Sequence, residues 1–491
     1  MKDAGNGAVN CVGTGAGEIR TANLKNVCGT VKVPPSKSSA HRLLLCAFLS
    51  GKYEAVRRAF SDKAHVADDI AAMRGCLLVP AEEGRWPSGG EAGDSALLAP
   101  DSGEARGSAF LAPDGGESAT NCEGRELNCG ESAAVYRMLL PVVAAMGTER
   151  TMIAEGSLAD RIASDTLDEI EKHGVRIDKK IEYRDDAKTL RTVISGKLEA
   201  GEYRIKDPAT SQYISGLLFA LPLLDGDSTL TVKGAIPSMP YVEMTLDVLE
   251  KAGIEVLGEA GRPEPKETQT SVFRIKGGQK YRLPGSVAED IEGATEGDWS
   301  SGAMWIMLSS ITGGKTEVEG LSKDSIQGDK IIMEAAAEFE AGDALAEAGA
   351  GDAGGALDTG DVFNIDITDT PDLLPALALR ASVSHGVTEI SGAARLRGKE
   401  CDRGAATVQI LNELGARAEL SGDHVIIKGS GGRPLAGSEN TVHTFGDHRM
   451  IMLAAFLSAV TEKPVRFDGA GGITKSYPGF YEEIERLGGE I

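Results

Sequence analysis

Six short polar clusters along the 491 residues each open a strongly apolar run. LLLCAFLS follows Ser36-Lys37-Ser38, YRMLLPVVAAMG follows Glu131-Ser132, and YISGLLFALPLL follows Thr210-Ser211-Gln212. GAMWIMLSSITG follows Asp298-Trp299-Ser300-Ser301, LLPALALRASVSHG follows Asp369-Thr370-Pro371-Asp372, and MIMLAAFLSAV follows Gly446-Asp447-His448-Arg449. Ser, Thr and Asp cap helix N-termini because their oxygens accept the unpaired N–H groups of the first turn. The pattern predicts six helices buried along most of their length, whose polar starts are the only parts able to do chemistry. Helix starts carry free N–H groups and about half a positive charge, so six aimed at one place would make an anion site.

Amphipathic helices alternate with these, starting near Asp68, Thr166, Thr245, Lys330, Thr407 and Tyr481. Short β-branched runs between them, such as TLTVKGA, GTVKVP, HVIIKGS and KPVRFDGA, predict strands. The spacing, roughly 75–100 residues, is too long for a small solenoid repeat. The pattern therefore predicts an α/β protein of six units, each with one buried and one surface helix, in two domains of three. Residues 80–125 and 341–361 are rich in Gly, Ala and acidic residues; both read as inserted surface loops, the first with a near-repeat starting at Ser95 and Ser108. The first 17 residues read as a loose extension.

Composition narrows the class. No run of 18 apolar residues occurs, and MKDAGNGAVN has no basic region leading into an apolar one, so a cytoplasmic protein without membrane span or signal peptide is expected. The seven cysteines are scattered and none forms a CxxC pair, which points to reduced thiols rather than a disulfide frame or zinc site. The net charge of −23 argues against nucleic-acid or anionic-membrane partners and makes local cationic clusters more informative.

Four such clusters stand out. VPPSKSSAHRLLL places Lys37, Ser38 and Arg42 at a helix start, with Ser38 and Arg42 at i,i+4, a combination suited to phosphate or carboxylate. RLRGKECDRG holds Arg395, Lys399, Glu400 and Arg403; Lys399 and Arg403 are also i,i+4, and a solvated helix face is the plainer reading. FGDHRM sets His448 and Arg449 at a helix start, where a cation opposes the dipole and a bound anion would explain it. GAGGITKSYPGF fails as a nucleotide-binding loop because Thr474 stands where glycine is required, leaving Lys475 as an anion contact. Asp372 opens a buried helix; capping and catalysis both remain open for it.

In combination, PPSKSSAHR, SDKAHVADDI, NCGESAAVYRMLLPVVAAMG, TSQYISGLLFALPLL, SMPYVEMTLDVL, EGDWSS, SIQGDK, TPDLLPALAL, GKECDR, GDHRM and TKSYPGFYEEI resemble, in order, the 5-enolpyruvylshikimate-3-phosphate (EPSP) synthase family. The resemblance implies an α/β fold, a two-domain inside-out α/β barrel of six βαβαββ units, three per domain, with the active site in the interdomain cleft. It divides the chain into residues 1–34, returning to the second domain, 35–296, the first domain, and 297–491, the second. It implies transfer of the carboxyvinyl group of phosphoenolpyruvate to the 5-hydroxyl of shikimate 3-phosphate by a monomer, with no metal or organic cofactor.

Carried over by motif, Lys37, Ser38, Arg42, Thr210, Ser211, Gln212, Ser238, Tyr241, Asp372 and Lys399 would bind shikimate 3-phosphate. Lys37, Ala133, Arg161, Gln212, Arg403, His448, Arg449 and Lys475 would surround phosphoenolpyruvate. Asp372 would act as base, Glu400 as proton donor, and Lys37 would complete the catalytic set. Three positions depart from the family's pattern. Arg161 is followed by Ile162 rather than proline, Arg395 replaces an Asn of some members, and ESAAVYR carries Ala133 and Ala134 where a Gly-Thr or Gly-Ser-Thr stretch is usual. Alanine for that glycine accompanies glyphosate insensitivity in the family, so insensitivity is expected. The altered ESAAVYR segment also motivates an alternative, a catalytically silent relative that binds shikimate 3-phosphate as a sensor. The sister transferase acting on UDP-N-acetylglucosamine fits less well, since it carries Lys-Asn where this chain has Lys37-Ser38.

Overall fold

The computed structural model describes residues 17–62, 65–82, 126–162, 165–184, 187–259, 269–349 and 362–491. Five of the six apolar runs form helices capped as their polar starts predict: Lys37–Leu49, Ala133–Met146, Ser211–Ala220, Trp299–Thr312 and His448–Leu457. The side chains of Ser36, Ser132, Thr210, Asp298 and Asp447 accept from backbone N–H groups of the first turn. The sixth differs. Pro371–Leu373 form a 3-10 turn that runs into the Leu374–Ala381 helix with no side-chain cap. Pro371 and Pro375 lack N–H groups, so fewer donors need a partner there.

Each parallel strand pair needs a crossover, which the helices supply. Glu126–Asn128 runs parallel to Arg150–Glu155; Arg150–Glu155 pairs antiparallel with Ala187–Gly196, which pairs antiparallel with Val175–Arg184. Glu202–Lys206, Ser228–Lys233, Thr270–Ile275 and Val256–Glu259 repeat that order, as do Val362–Asp366, Val387–Ser391, His424–Lys428 and Arg417–Ser421. In all three, a buried helix follows the first strand and a second helix follows the next, giving β-α-β-α-β-β. A further group has the same pattern with a displaced last strand: Val442 bridges Phe467 in parallel, and Arg20–Ala22 pairs antiparallel with Val465–Phe467. Gly29–Lys32 runs parallel to Thr316–Glu319.

Buried apolar side chains form two separate cores. One runs from Ala40 to Ile291 and includes Phe48, Tyr136, Tyr213 and Phe273. The other joins Ala22, Leu24, Val27 and Val31 to residues Trp299 through Leu487, around Trp305, Phe456 and Phe480. The chain crosses between the cores at two places that lie side by side. Ser36 N donates to Glu296 O at 2.8 Å, and Asp298 N donates to Pro34 O at 2.9 Å. At Gly297 a Cβ would sit 2.4 Å from Gly320 O and 2.7 Å from Val33 Cγ2, so glycine permits this close approach.

The expected insert at 341–361 begins later than its composition implied, because the Ile332–Gly349 helix continues through its first nine residues. Ala and Glu favour helix, and Asp343 anchors this end by accepting from His385 N at 2.8 Å and pairing with Arg380. Residues 350–361, nearly all of the 80–125 insert with its near-repeat, and residues 1–16 lie outside the described residues. Cys28, Cys46, Cys76, Cys129 and Cys401 are free thiols. Among the described residues no helix is long and apolar enough to cross a membrane.

Candidate active site

A cleft of about 520 Å³ is lined from both cores' sides. Five of the six buried-helix starts reach it, through Lys37 and Ser38, Ala133 and Ala134, Ser211 and Gln212, Pro371 and Asp372, and His448. The sixth start is not in the lining; its cap Asp298 lies 3.7 Å from Arg449.

On the first side, Lys37 is the first helical residue and its Nζ lies 3.0 Å from Asp69. Arg42, one turn on, is buried and donates to Thr245 Oγ1 at 2.9 Å, Ser38 O at 2.7 Å and Tyr241 O at 2.6 Å. It thereby fastens the helix start to the Ser238–Tyr241 segment, with two of its five N–H groups left. Burial lowers its pKa to about 10, which leaves it protonated at neutral pH. Ser238 has left-handed backbone, φ 54 and ψ 52, uncommon outside glycine. His41 is held neutral by burial, with a pKa lowered to about 4; its Nε2 faces Asp69 O at 3.0 Å. Arg161 donates from Nε and Nη2 to Ser157 O and Oγ, each at 3.2 Å. Thr210 caps the helix that presents Ser211 and Gln212.

The second side is built around Arg403, which is 2% exposed. Its Nε donates to Asp447 at 2.8 Å, Nη1 to Asp372 at 2.6 Å and Nη2 to Glu400 at 2.8 Å. Lys399 Nζ also reaches Asp372, at 3.1 Å. The i,i+4 spacing of Lys399 and Arg403 does not mark one helix face: Lys399 is extended and the helix begins at Arg403, behind the Asp402 cap. The two cations instead converge on one carboxylate. Burial would raise the Asp372 pKa, but Lys399, Arg403 and Arg449 outweigh it and hold the carboxyl far below its usual range. Glu400 is likewise depressed, burial being overcome chiefly by Arg403, with Arg161 and Lys399 adding to it. His448 is kept neutral by burial, aided by Lys37.

Arg449 and Lys475 lie outside the lining. Arg449 is buried, with no partner for Nε or Nη1. Lys475 forms an ion pair with Glu131 of the opposite side, an attraction that outweighs burial and raises its pKa. The two sides also touch where Thr474 Oγ1 donates to Asp68 Oδ2 at 2.7 Å and Tyr241 OH donates to Asp329 Oδ2 at 3.2 Å. Burial, then nearby Asp372, raise the pKa of Asp329 to about 6.

Eight Lys and Arg residues line the cleft against five Asp and Glu. In a protein of charge −23, this local excess makes the cleft a place for anions. Among the described residues, no group of three or more His, Cys, Asp or Glu is placed to hold a metal ion.

Four residues that motif reading left out belong to this environment: Asp69, Arg137, Glu131 as a partner of Lys475, and Asp329. Asp69 and Arg137 fall within the runs SDKAHVADDI and NCGESAAVYRMLLPVVAAMG, near the starts of their helices, and this pointed toward them.

A family model described as EPSP synthase (3-phosphoshikimate 1-carboxyvinyltransferase) matches residues 101–484. A 3-phosphoshikimate 1-carboxyvinyltransferase of Clostridium kluyveri is 34% identical over 468 residues, covering 94% of this chain and 96% of that protein. The protein of that name from Clostridioides difficile is 32% identical over 471 residues, with 94% and 96% coverage. Among solved structures, an EPSP synthase from Acinetobacter baumannii matches with a TM-score of 0.59 at 19% identity, covering 95% of this chain and 98% of that one. The enolpyruvyl transferase NikO from Streptomyces tendae matches with a TM-score of 0.54 at 12% identity, with 97% and 98% coverage. These two likenesses are of fold. On the family model and the full-length relatives, the chain belongs to the EPSP synthase (3-phosphoshikimate 1-carboxyvinyltransferase) family.

Proposed function

We propose that this cleft transfers the carboxyvinyl group of phosphoenolpyruvate to the 5-hydroxyl of shikimate 3-phosphate and releases phosphate. The observation that carries the reading is Arg403, buried between Asp372 and Glu400. One guanidinium holds two carboxylates beside a cationic cleft, where acid–base chemistry on anions needs them.

In this reading residues 35–296 form one domain, and 1–34 with 297–491 the other. The two cores and the paired crossings at Pro34–Ser36 and Glu296–Asp298 support that division. The strand order shared by three four-stranded sheets supports repeated βαβαββ units, and six of them would build an inside-out barrel. One chain supplies both walls, which suits a monomer.

Ser38, Arg42, Thr210, Ser211, Ser238, Tyr241 and Lys399 hold shikimate 3-phosphate. Arg161, Arg403, His448, Arg449 and Lys475 surround phosphoenolpyruvate, and Lys37 and Gln212 serve both substrates. The unpartnered Nε and Nη1 of Arg449 fit a carboxylate or phosphate oxygen.

Asp372 is ionised at rest and takes the 5-hydroxyl proton as that oxygen bonds to the substituted carbon of phosphoenolpyruvate. Glu400 delivers a proton to the methylene carbon, giving a tetrahedral intermediate. Glu400 is also ionised at rest, so it must first gain a proton. An incoming anion offsets the positive field of Arg403, Arg161 and Lys399 that depresses Glu400, and so raises that pKa. Elimination reverses the protonation: the methyl carbon loses a proton, the bond to phosphate breaks and the double bond returns. Fixed cations stabilise the departing phosphate.

The methyl of Ala133 narrows the phosphoenolpyruvate side and makes the enzyme insensitive to glyphosate. The test of the activity is phosphate release from the purified protein, with each substrate omitted in turn. Release requires both substrates, and Asp372→Asn lowers kcat about 10³-fold. Calorimetric binding of shikimate 3-phosphate without any phosphate release would replace this reading with a silent relative.

A further inference from the structure

Arg137 lies one turn inside the Ala133–Met146 helix, in the wall of the cleft. Its Nη1 donates to Gln212 Oε1 at 2.9 Å and its Nη2 donates to the carbonyl oxygen of Arg161 at 2.7 Å. It ties together two groups placed around phosphoenolpyruvate.

We propose that Arg137 is a positioning residue that sets which end of the Gln212 amide faces the substrates and holds the backbone of Arg161 in place. A guanidinium only donates, so the amide atom facing Arg137 must be the oxygen. The Gln212 NH₂ group is then left to point elsewhere, as a donor. The substrates of the reading above, on which this inference rests, present phosphate and carboxylate oxygens, which accept. An amide turned the other way would offer oxygen to oxygen. The second arm holds Arg161, whose side chain is tied to Ser157 at both Nε and Nη2. Arg137 thus fixes one donor and one cation with two N–H groups in a rigid fork. Lysine, a single flexible ammonium, spans both acceptors poorly.

The test is a double-mutant cycle between Arg137→Met and Gln212→Ala, read by turnover and by calorimetric binding of shikimate 3-phosphate, with crystal structures of wild type and Arg137→Met. Misplacing a contact by about 1 Å costs on the order of 100-fold in rate, so Arg137→Met lowers kcat/KM for phosphoenolpyruvate by about that factor. The loss falls to about tenfold when Gln212 is already Ala, because only the Arg161 arm then remains to be lost. Arg137→Lys recovers part of the loss. In the Arg137→Met crystal the Gln212 amide leaves its wild-type position. Equal losses in both backgrounds, or an unmoved amide in the Arg137→Met crystal, would overturn the proposal while leaving the transferase reading intact. A wild-type protein that releases no phosphate would overturn the transferase reading alone, since the crystal structures still decide the amide's orientation.

Discussion

The two walls of the cleft hold their polar groups in different ways. On the first side, apart from the buried and triply bonded Arg42, Lys37 shares one carboxylate, the Arg161 side chain donates to Ser157, and Thr210, Ser211 and Gln212 are neutral. On the second, Arg403 alone contacts Asp372, Glu400 and Asp447, and Lys399 adds a second cation to Asp372. Singly bonded donors exchange partners at small cost and suit recognition. A cross-linked, buried set of charges resists rearrangement and sets protonation states. The first wall should therefore govern affinity, the second stability and turnover.

The largest expected effect that tests this contrast comes from Arg403→Met. It leaves three carboxylates without their shared cation, and breaking a buried pair in this way destabilises by about 3–5 kcal/mol. Thermal unfolding should show a clear fall in Tm, with activity lost. A Tm equal to that of wild type would mean the network is not what holds the second wall.

A smaller effect comes from Asp329, where the walls meet. Its pKa is raised from 3.8 to about 6, so the folded state binds this proton more readily than the unfolded one. The stability it contributes is full below pH 3.8 and is lost as pH rises through 6, about 3 kcal/mol in all. Asp329→Asn does not titrate, so its Tm relative to wild type should rise between pH 4 and pH 7. A difference independent of pH would place the ionisation elsewhere.

Two weaker changes sharpen the role of the first wall. Ala133→Gly should lower the glyphosate concentration for half-inhibition roughly tenfold by removing one methyl. Micromolar inhibition of the unchanged enzyme, at an ordinary KM for phosphoenolpyruvate, would defeat this. Ser211→Ala should raise KM for shikimate 3-phosphate roughly tenfold through one lost hydrogen bond to a charged group, with kcat nearly unchanged. An equal fall in kcat would blur the division between the walls.

The buried helices and five of their caps were legible in the sequence because a polar start followed by an apolar run is a local signal. The four strand runs named from their β-branched residues were legible for the same reason. Strand order was not, since pairing depends on residues far apart, as with Ala22 and Val465. Asp69 beside Lys37 and Arg137 beside Gln212 are contacts across 32 and 75 positions, with no trace in spacing. Lys399 and Arg403 gave a misleading local signal: their spacing fits a helix face, but the helix begins only at Arg403. The 341–349 stretch misled in the opposite sense, because a composition taken for a loop is also rich in helix-forming Ala and Glu.

The pairing of Arg20–Ala22 with Val465–Phe467 has a consequence for how the molecule is made. A chain that emerges from the ribosome in order presents the Arg20–Ala22 segment long before its partner exists. The core between Ala40 and Ile291 has all its residues by then and can settle as a unit. The other core holds Ala22 and Phe467 together, so it stays incomplete until translation has passed that phenylalanine. A message cut short before it would yield one finished half and an early strand with nothing to pair with, an exposed edge that invites aggregation.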